Sequence, residues 1–154
     1  MPKFISNSIQ VHITSYVGDE LKHLILQRSM DTILYPGIWQ VVTGTIESGE
    51  TALSCALREV AEETGIIVKD IWTVPYITQF FDPKNDLIHA SPVFGVLVEN
   101  ITDIKLSYEH QDYKWLSLDE AEKILVLPSH IEAGKVFQRY ILDNPDKKMF
   151  KIKL

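Results

Sequence analysis

Three glutamates, Glu59, Glu62 and Glu63, crowd the end of the run "CALREVAEETGI" just before Gly65. Related as i, i+3 and i+4, they share one helix face and build a carboxylate cluster. Such a cluster is unfavourable by itself. Like charges one turn apart repel by a few tenths of a kcal/mol per pair, roughly, and each anion in a last turn opposes the helix dipole by about 0.3–1 kcal/mol more. A divalent cation cancels both effects, and Mg²⁺ suits oxygen ligands while keeping sites for water and substrate phosphates. The chemistry these residues predict by themselves is the binding of a divalent cation by oxygen ligands.

Something must hold these side chains in place. From Glu50 to Thr64 the pattern predicts a helix, with Leu53, Leu57 and Val60 on a face separate from the acids and Gly65 as its stop. Upstream, "SIQVHITSYV" and "HLILQR" around the turn-like "GDE" read as a strand pair, and "WQVVTG" as a short strand ending at Gly44. Downstream, "IIVKDIWTV", "YITQFF" and "HASPVFGVLVEN" read as strands, with "DPKND" as a turn. Two helices follow, one capped near Ser117 by "SLDE", the other in "SHIEAGKVFQRYILDN" before Pro145. Strands, helix, strands and then helices imply a mixed sheet packed between helices, a single α/β domain over residues 1–154.

The full stretch "GTIESGETALSCALREVAEETGI", Gly44 to Ile66, carries Gly44, Glu50, Arg58, Glu59, Glu62, Glu63 and Gly65 at fixed spacing, with aliphatic Val60 and Ile66 between and after them. It matches without departure the signature of the Nudix hydrolases; chance agreement at one start is on the order of 1 in 10⁸. The resemblance implies the Nudix fold, an α/β/α sandwich with a mixed β-sheet, and metal-assisted hydrolysis of a nucleoside diphosphate linked to another group. It implies that Glu59, Glu62 and Glu63 ligate Mg²⁺, or Mn²⁺ in its place, with the Gly44 carbonyl as a further ligand. Glu50 would be auxiliary, and Arg58 would orient the glutamates.

Outside that stretch, "LILQR" before "GIWQVVTG", and later "YEHQDYKWLSLDEA", resemble segments of bacterial dATP and dihydroneopterin triphosphate pyrophosphohydrolases of the same family. By that resemblance Glu109 is an additional ligand or base, and Arg28 contacts substrate phosphate or base with Thr43 beside it. Trp39 could stack on a base, against a competing reading as a core or strand-edge residue. The expected reaction converts a nucleoside or pterin triphosphate to the monophosphate and pyrophosphate. The alternatives are a Nudix hydrolase of ADP-ribose or dinucleoside polyphosphates, for which Pro83 in "FFDPKND" is a slight pointer, and a Nudix module that binds nucleotide without cleaving it.

Composition narrows the partners. A net charge of −6 argues against wrapping a nucleic-acid polymer, while leaving room for a small phosphorylated ligand held through a metal. The lysines of "PDKKMFKIKL" read as a solvated tail or edge strand. No apolar run approaches the ~20 residues of a membrane span, and the N-terminus lacks a signal-peptide pattern. With one cysteine, Cys55, no intramolecular disulfide can form. These features predict a cytoplasmic monomer or homodimer with no membrane partner. Cys55 reads as a small buried residue, and His89, His110 and His130 show no metal-ligand spacing.

Overall fold

A computed structural model describes residues 1–101 and 103–154. Its strands are β1 (Lys3–Ile5), β2 (Ser8–Val17), β3 (Glu20–Arg28), β4 (Trp39–Gln40), β5 (Val42–Thr45), β6 (Ile71–Asp82), β7 (Leu87–Val98), β8 (His110–Leu116) and β9 (Lys151–Ile152). Three α-helices accompany them: α1 (Ala52–Thr64), α2 (Leu118–Glu122) and α3 (Pro128–Val136), the last continuing as a π-helical segment, Phe137–Leu142.

The sheet is mixed. The order β4-β3-β2-β7-β6-β9 forms its spine, β5 pairs with β2, and β8 with β3. β2 runs parallel to β7, whereas β2–β3 and β6–β7 are antiparallel hairpins. Alternation along β2 sends Ile9, Val11 and Ile13 to the side covered by α1, where they meet Leu24, Leu26, Val42, Ala56 and Val60. On the other side Phe137, Ile141, Trp72 and Val93 form a second cluster, and Ile25, Val41, Ala121 and Leu125 a third under α2. Helix, sheet and helices therefore make the expected three layers.

Several boundaries differ from those read in the sequence. Residues 66–70 are not strand, and "IWTV" and "YITQFF" form one strand, β6, with a register shift between Val74 and Ile77. Pro75 lies within that shift, where its missing N–H interrupts no regular ladder. "WQVVTG" is two short strands rather than one, because Trp39–Gln40 pairs with β3 while Val42–Thr45 pairs with β2. "DPKND" is the turn between β6 and β7, closed by Lys84 N and Asn85 N donating to Asp82 Oδ1. Pro83 thus sits in a hairpin connection. The basic C-terminal run contributes β9 at the sheet edge. No helix among the described residues is long and apolar enough to cross a membrane.

Beneath α3 lie buried histidines that periodicity did not announce: His12 on β2, His23 on β3 and His130 on α3. The Gln10 amide donates to His12 Nε2 at 2.7 Å, which fixes a neutral imidazole, and His23 Nε2 donates to Gln138 Oε1 at 3.2 Å. Burial, followed by the neighbouring His23 and His130, holds His12 well below its usual pKa; burial alone takes His130 down to about 4. The unfolded chain therefore takes up protons below pH ~6.5 that the folded one refuses, so stability falls as pH drops from there toward ~4. Glu63 and Glu59, whose pKa values are raised, work in the opposite direction. In a Glu59→Gln/Glu63→Gln background the urea midpoint is expected to fall steadily between pH 7 and 5; a flat profile would refute this account.

Candidate active site

Helix α1 begins with a reciprocal cap: Thr51 Oγ1 accepts from Ser54 N at 3.1 Å while Ser54 Oγ accepts from Thr51 N at 2.9 Å. It ends at Gly65, whose φ of 74° is left-handed and whose N–H reaches the Ala61 carbonyl. Between these limits the buried side carries Cys55, Ala56, Val60, Glu63 and Thr64. Glu63 thus belongs to the buried face, contrary to the separation of acids from apolar residues expected above. Spaced three residues from Val60, it follows that side chain inward, whereas the Glu62 side chain remains 59% exposed.

The consequences for Glu63 are marked. Its Oε2 is buried without a hydrogen-bond partner among the described residues. Burial first, then the charges of Glu59 and Glu109, push its carboxyl up to about 9, against the opposing pull of Arg28. Glu59 is also raised, chiefly by burial.

Arg58 is the cation within the cluster. Its Nε and Nη2 grip Glu50 at 2.8 and 2.9 Å, Nη1 reaches Glu59 at 2.8 Å and Glu62 at 3.2 Å, and Nη2 also donates to the Thr45 carbonyl. The guanidinium holds the Glu50 carboxyl down at about 2. Glu50 in turn accepts from the Glu47 N–H, closing the loop that precedes α1. These contacts fit an orienting Arg58 and an auxiliary Glu50.

Gly44, on β5, lies against α1. A Cβ there would overlap Glu59 Cγ and stand 2.6 Å from Glu59 Oε1. Close approach of helix and strand explains the glycine.

One cavity of about 570 Å³ gathers Arg28, Thr43, Gly44, Glu59, Glu62, Glu63 and Glu109, along with Arg58. Glu109 arrives from the segment before β8, and Arg28 from the end of β3, where the register to β8 shifts between Gln27 and Arg28. Trp39 is not brought there. Its ring packs beside Ile25, Val41, Ala121 and Leu125, with Lys114 Nζ 4.8 Å from its centre. Cys55 is fully buried with its thiol pushed up to about 12, chiefly by burial, which leaves it unsuited to nucleophilic work. His110 is buried and receives the Gln40 amide on Nε2, a structural contact behind the wall. Three cavity residues escaped the sequence reading: Glu47, from the loop before α1, and Ser8 and Thr45. The pairing of β2 with β5, Ser8 opposite Thr45, places the last two there.

Among the described residues no three acidic, histidine or cysteine side chains already form a closed metal cage. The glutamates instead share a wall, with Arg58 bridging Glu59 and Glu62. The donor set nevertheless fits a hard cation: every ligand offered is oxygen, and the orphaned Glu63 Oε2 lacks a positive partner.

Comparison with known proteins gives the family. Residues 10–140 match the NUDIX domain family. A dihydroneopterin triphosphate diphosphatase from Haemophilus influenzae is 28% identical over 144 residues, covering 85% of this chain and 87% of the relative. A bis(5'-nucleosyl)-tetraphosphatase from Mus musculus is 35% identical over 116 residues, 71% of this chain and 74% of its own. A longer octanoyltransferase from Myxococcus xanthus also matches, but the shared part spans only 31% of it. Among solved structures, the Escherichia coli dihydroneopterin triphosphate pyrophosphohydrolase superposes with a TM-score of 0.70 at 28% identity, covering 86% of this chain and 92% of that one. Motif, layer order and these matches converge: the chain belongs to the Nudix hydrolase family, enzymes that act on pyrophosphate bonds.

Proposed function

We propose that this protein is a divalent-metal-dependent pyrophosphohydrolase that cleaves a nucleoside or pterin triphosphate to the monophosphate and pyrophosphate. The observation that carries this reading is the one cavity that Glu59, Glu62, Glu63 and Glu109 line together with Arg28. Such a wall suits a polyanionic substrate only when its negative charge is countered, and Arg28 supplies one positive group for that purpose. Glu59, Glu62 and Glu63, with the Gly44 carbonyl and Glu109, would hold Mg²⁺ or Mn²⁺. When bound, the metal neutralises phosphate oxygens and lowers the pKa of a water nucleophile.

The chain's own groups do the rest. Arg58, gripped by Glu50, holds the Glu59 carboxylate at the cavity in a fixed rotamer. Arg28 orients the phosphate chain through its fork of N–H donors. Thr43 contributes a hydroxyl on the same wall. The names of the Haemophilus and Escherichia relatives support the triphosphate reading. The Mus relative favours dinucleoside tetraphosphates as the second reading, at higher identity over a shorter stretch.

The test is a hydrolysis panel in Mg²⁺: nucleoside triphosphates, dihydroneopterin triphosphate, diadenosine tetraphosphate and ADP-ribose, with products separated by chromatography. Release of pyrophosphate from a triphosphate at the highest kcat/KM is the expected result. Faster cleavage of diadenosine tetraphosphate or ADP-ribose would replace the substrate assignment. Metal-dependent binding without turnover of any compound would identify a non-catalytic module.

A further inference from the structure

Between β3 and β4, residues 29–37 form a loop fastened at several points, two of them to the cavity residues Glu109 and Arg28. Ser29 N donates to the Glu109 carbonyl at 2.8 Å and Met30 N to Gln111 Oε1 at 3.1 Å. Gln27 Nε2 donates to the Gly37 carbonyl at 3.1 Å, and Thr32 Oγ1 to that of Ser29 at 2.8 Å. Arg28 provides the most informative tie: its Nε donates to the Leu34 carbonyl at 2.9 Å. Its two Nη groups make no hydrogen bond among the described residues, although Arg28 lines the cavity. One side chain therefore holds the loop with one nitrogen and keeps two donors for a phosphate.

The loop does not use this anchorage to bury its apolar residues. Ile33 is 96% exposed and Tyr35 66%, while Tyr108, next to the cavity residue Glu109, is 88% exposed. Tyr35 also holds a φ of +49°, a left-handed conformation unfavourable for a side chain of its size. A loop tied through Leu34 to Arg28 and through Ser29 to Glu109, both cavity residues, that leaves large apolar groups in water and keeps an aromatic residue in strained backbone next to that tie is shaped to receive something flat and apolar.

Resting on the pyrophosphohydrolase reading above, we propose that Tyr35 and Tyr108 form the site for the substrate's planar heterocyclic ring, with Arg28 linking that site to the phosphates. The occupant is the purine or pterin ring of the triphosphate held in the adjoining cavity, not a protein partner. A polyphosphate facing the glutamates and Arg28 directs the remainder of the molecule out past the attachment of Leu34 and Ser29. The π-face of either ring suits a tyrosine, and such stacking is tolerant of ring identity.

The test compares three substrates in Mg²⁺: a purine nucleoside triphosphate, dihydroneopterin triphosphate and an abasic ribose triphosphate. The parent is expected to show a KM for one or both ring-bearing compounds at least about tenfold below that for the abasic one. In Tyr35→Asn, which tolerates the left-handed backbone, and in Tyr108→Ala, that preference is expected to collapse to within about twofold. Tyr35→Phe restores it, since a phenyl ring stacks as well. Fluorescence of a 2-aminopurine nucleoside triphosphate, quenched on binding the parent and not the Tyr35→Asn protein, reads the same contact without turnover. No ring preference in the parent, or one that survives both substitutions, would overturn the ring site while leaving the hydrolase reading intact. Failure to cleave all three compounds would overturn the hydrolase reading, and this proposal with it.

Discussion

Glu63→Gln is expected to reduce metal-dependent hydrolysis by more than about 100-fold while making the metal-free protein more stable. Substitutions that only orient a metal ligand already lose roughly 10–100-fold; removing the charge of a ligand should exceed that. The stability gain comes from the environment of Glu63, whose Oε2 is buried and unpartnered beside Glu59 and Glu109. A glutamine keeps the shape and removes the charge. The sign follows from its raised folded pKa of about 9: the wild-type carboxyl favours the folded state most below its unfolded pKa of ~4.5 and loses that stability as pH rises through 9. At pH 8 the variant should therefore melt above the parent in chelator. Mg²⁺ should raise the parent's midpoint, by preferential binding to the folded state, and leave the variant's nearly where it was. Parent-like turnover in the variant, or equal Mg²⁺ stabilisation of both proteins, would remove Glu63 from the metal site.

Gly44→Ala should be nearly as damaging by a different route. The added methyl overlaps Glu59, so either β5 parts from α1 or the Glu59 carboxylate leaves its position between Gly44 and Arg58. Overpacking of this kind costs about 1–3 kcal/mol, and displacing Glu59 removes activity as well. A double-mutant cycle checks the cause. With Glu59 cut back to alanine the methyl at position 44 has room, so Gly44→Ala should destabilise the Glu59→Ala protein far less than the parent. Additive losses in urea denaturation would show that the glycine matters for some other reason.

These expectations mark where sequence and structure divide the account. The acids of α1 were legible because helical spacing is local: residues 59, 62 and 63 share a face whatever surrounds them. The stop at Gly65 could be read for the same reason, whereas the cap at Thr51 was not. The motif likewise pointed to Gly44 before any contact with Glu59 was visible, and strand and helix order implied the three layers.

What the chain alone could not reveal depended on which segments meet. Periodicity put the glutamates on a face separate from the apolar residues, but the depth to which α1 sinks against β5 decided that Glu63 would be buried and Glu62 exposed. Trp39 was ambiguous until α2 packed over it. Of the histidines under α3 only His130 was weighed in the sequence, and only for metal spacing, since residues 12, 23 and 130 are neighbours only after the sheet forms. The break of "WQVVTG" into two strands and the fusion of two predicted strands into β6 were set by pairing partners rather than by propensity. The sequence by itself determined the kind of chemistry, because that resides in residue types at helical spacing. The tertiary structure alone decided which carboxylate is desolvated, which arginine faces it and which loop rims the cavity, because burial and cross-strand register arise from contacts between segments far apart in the chain.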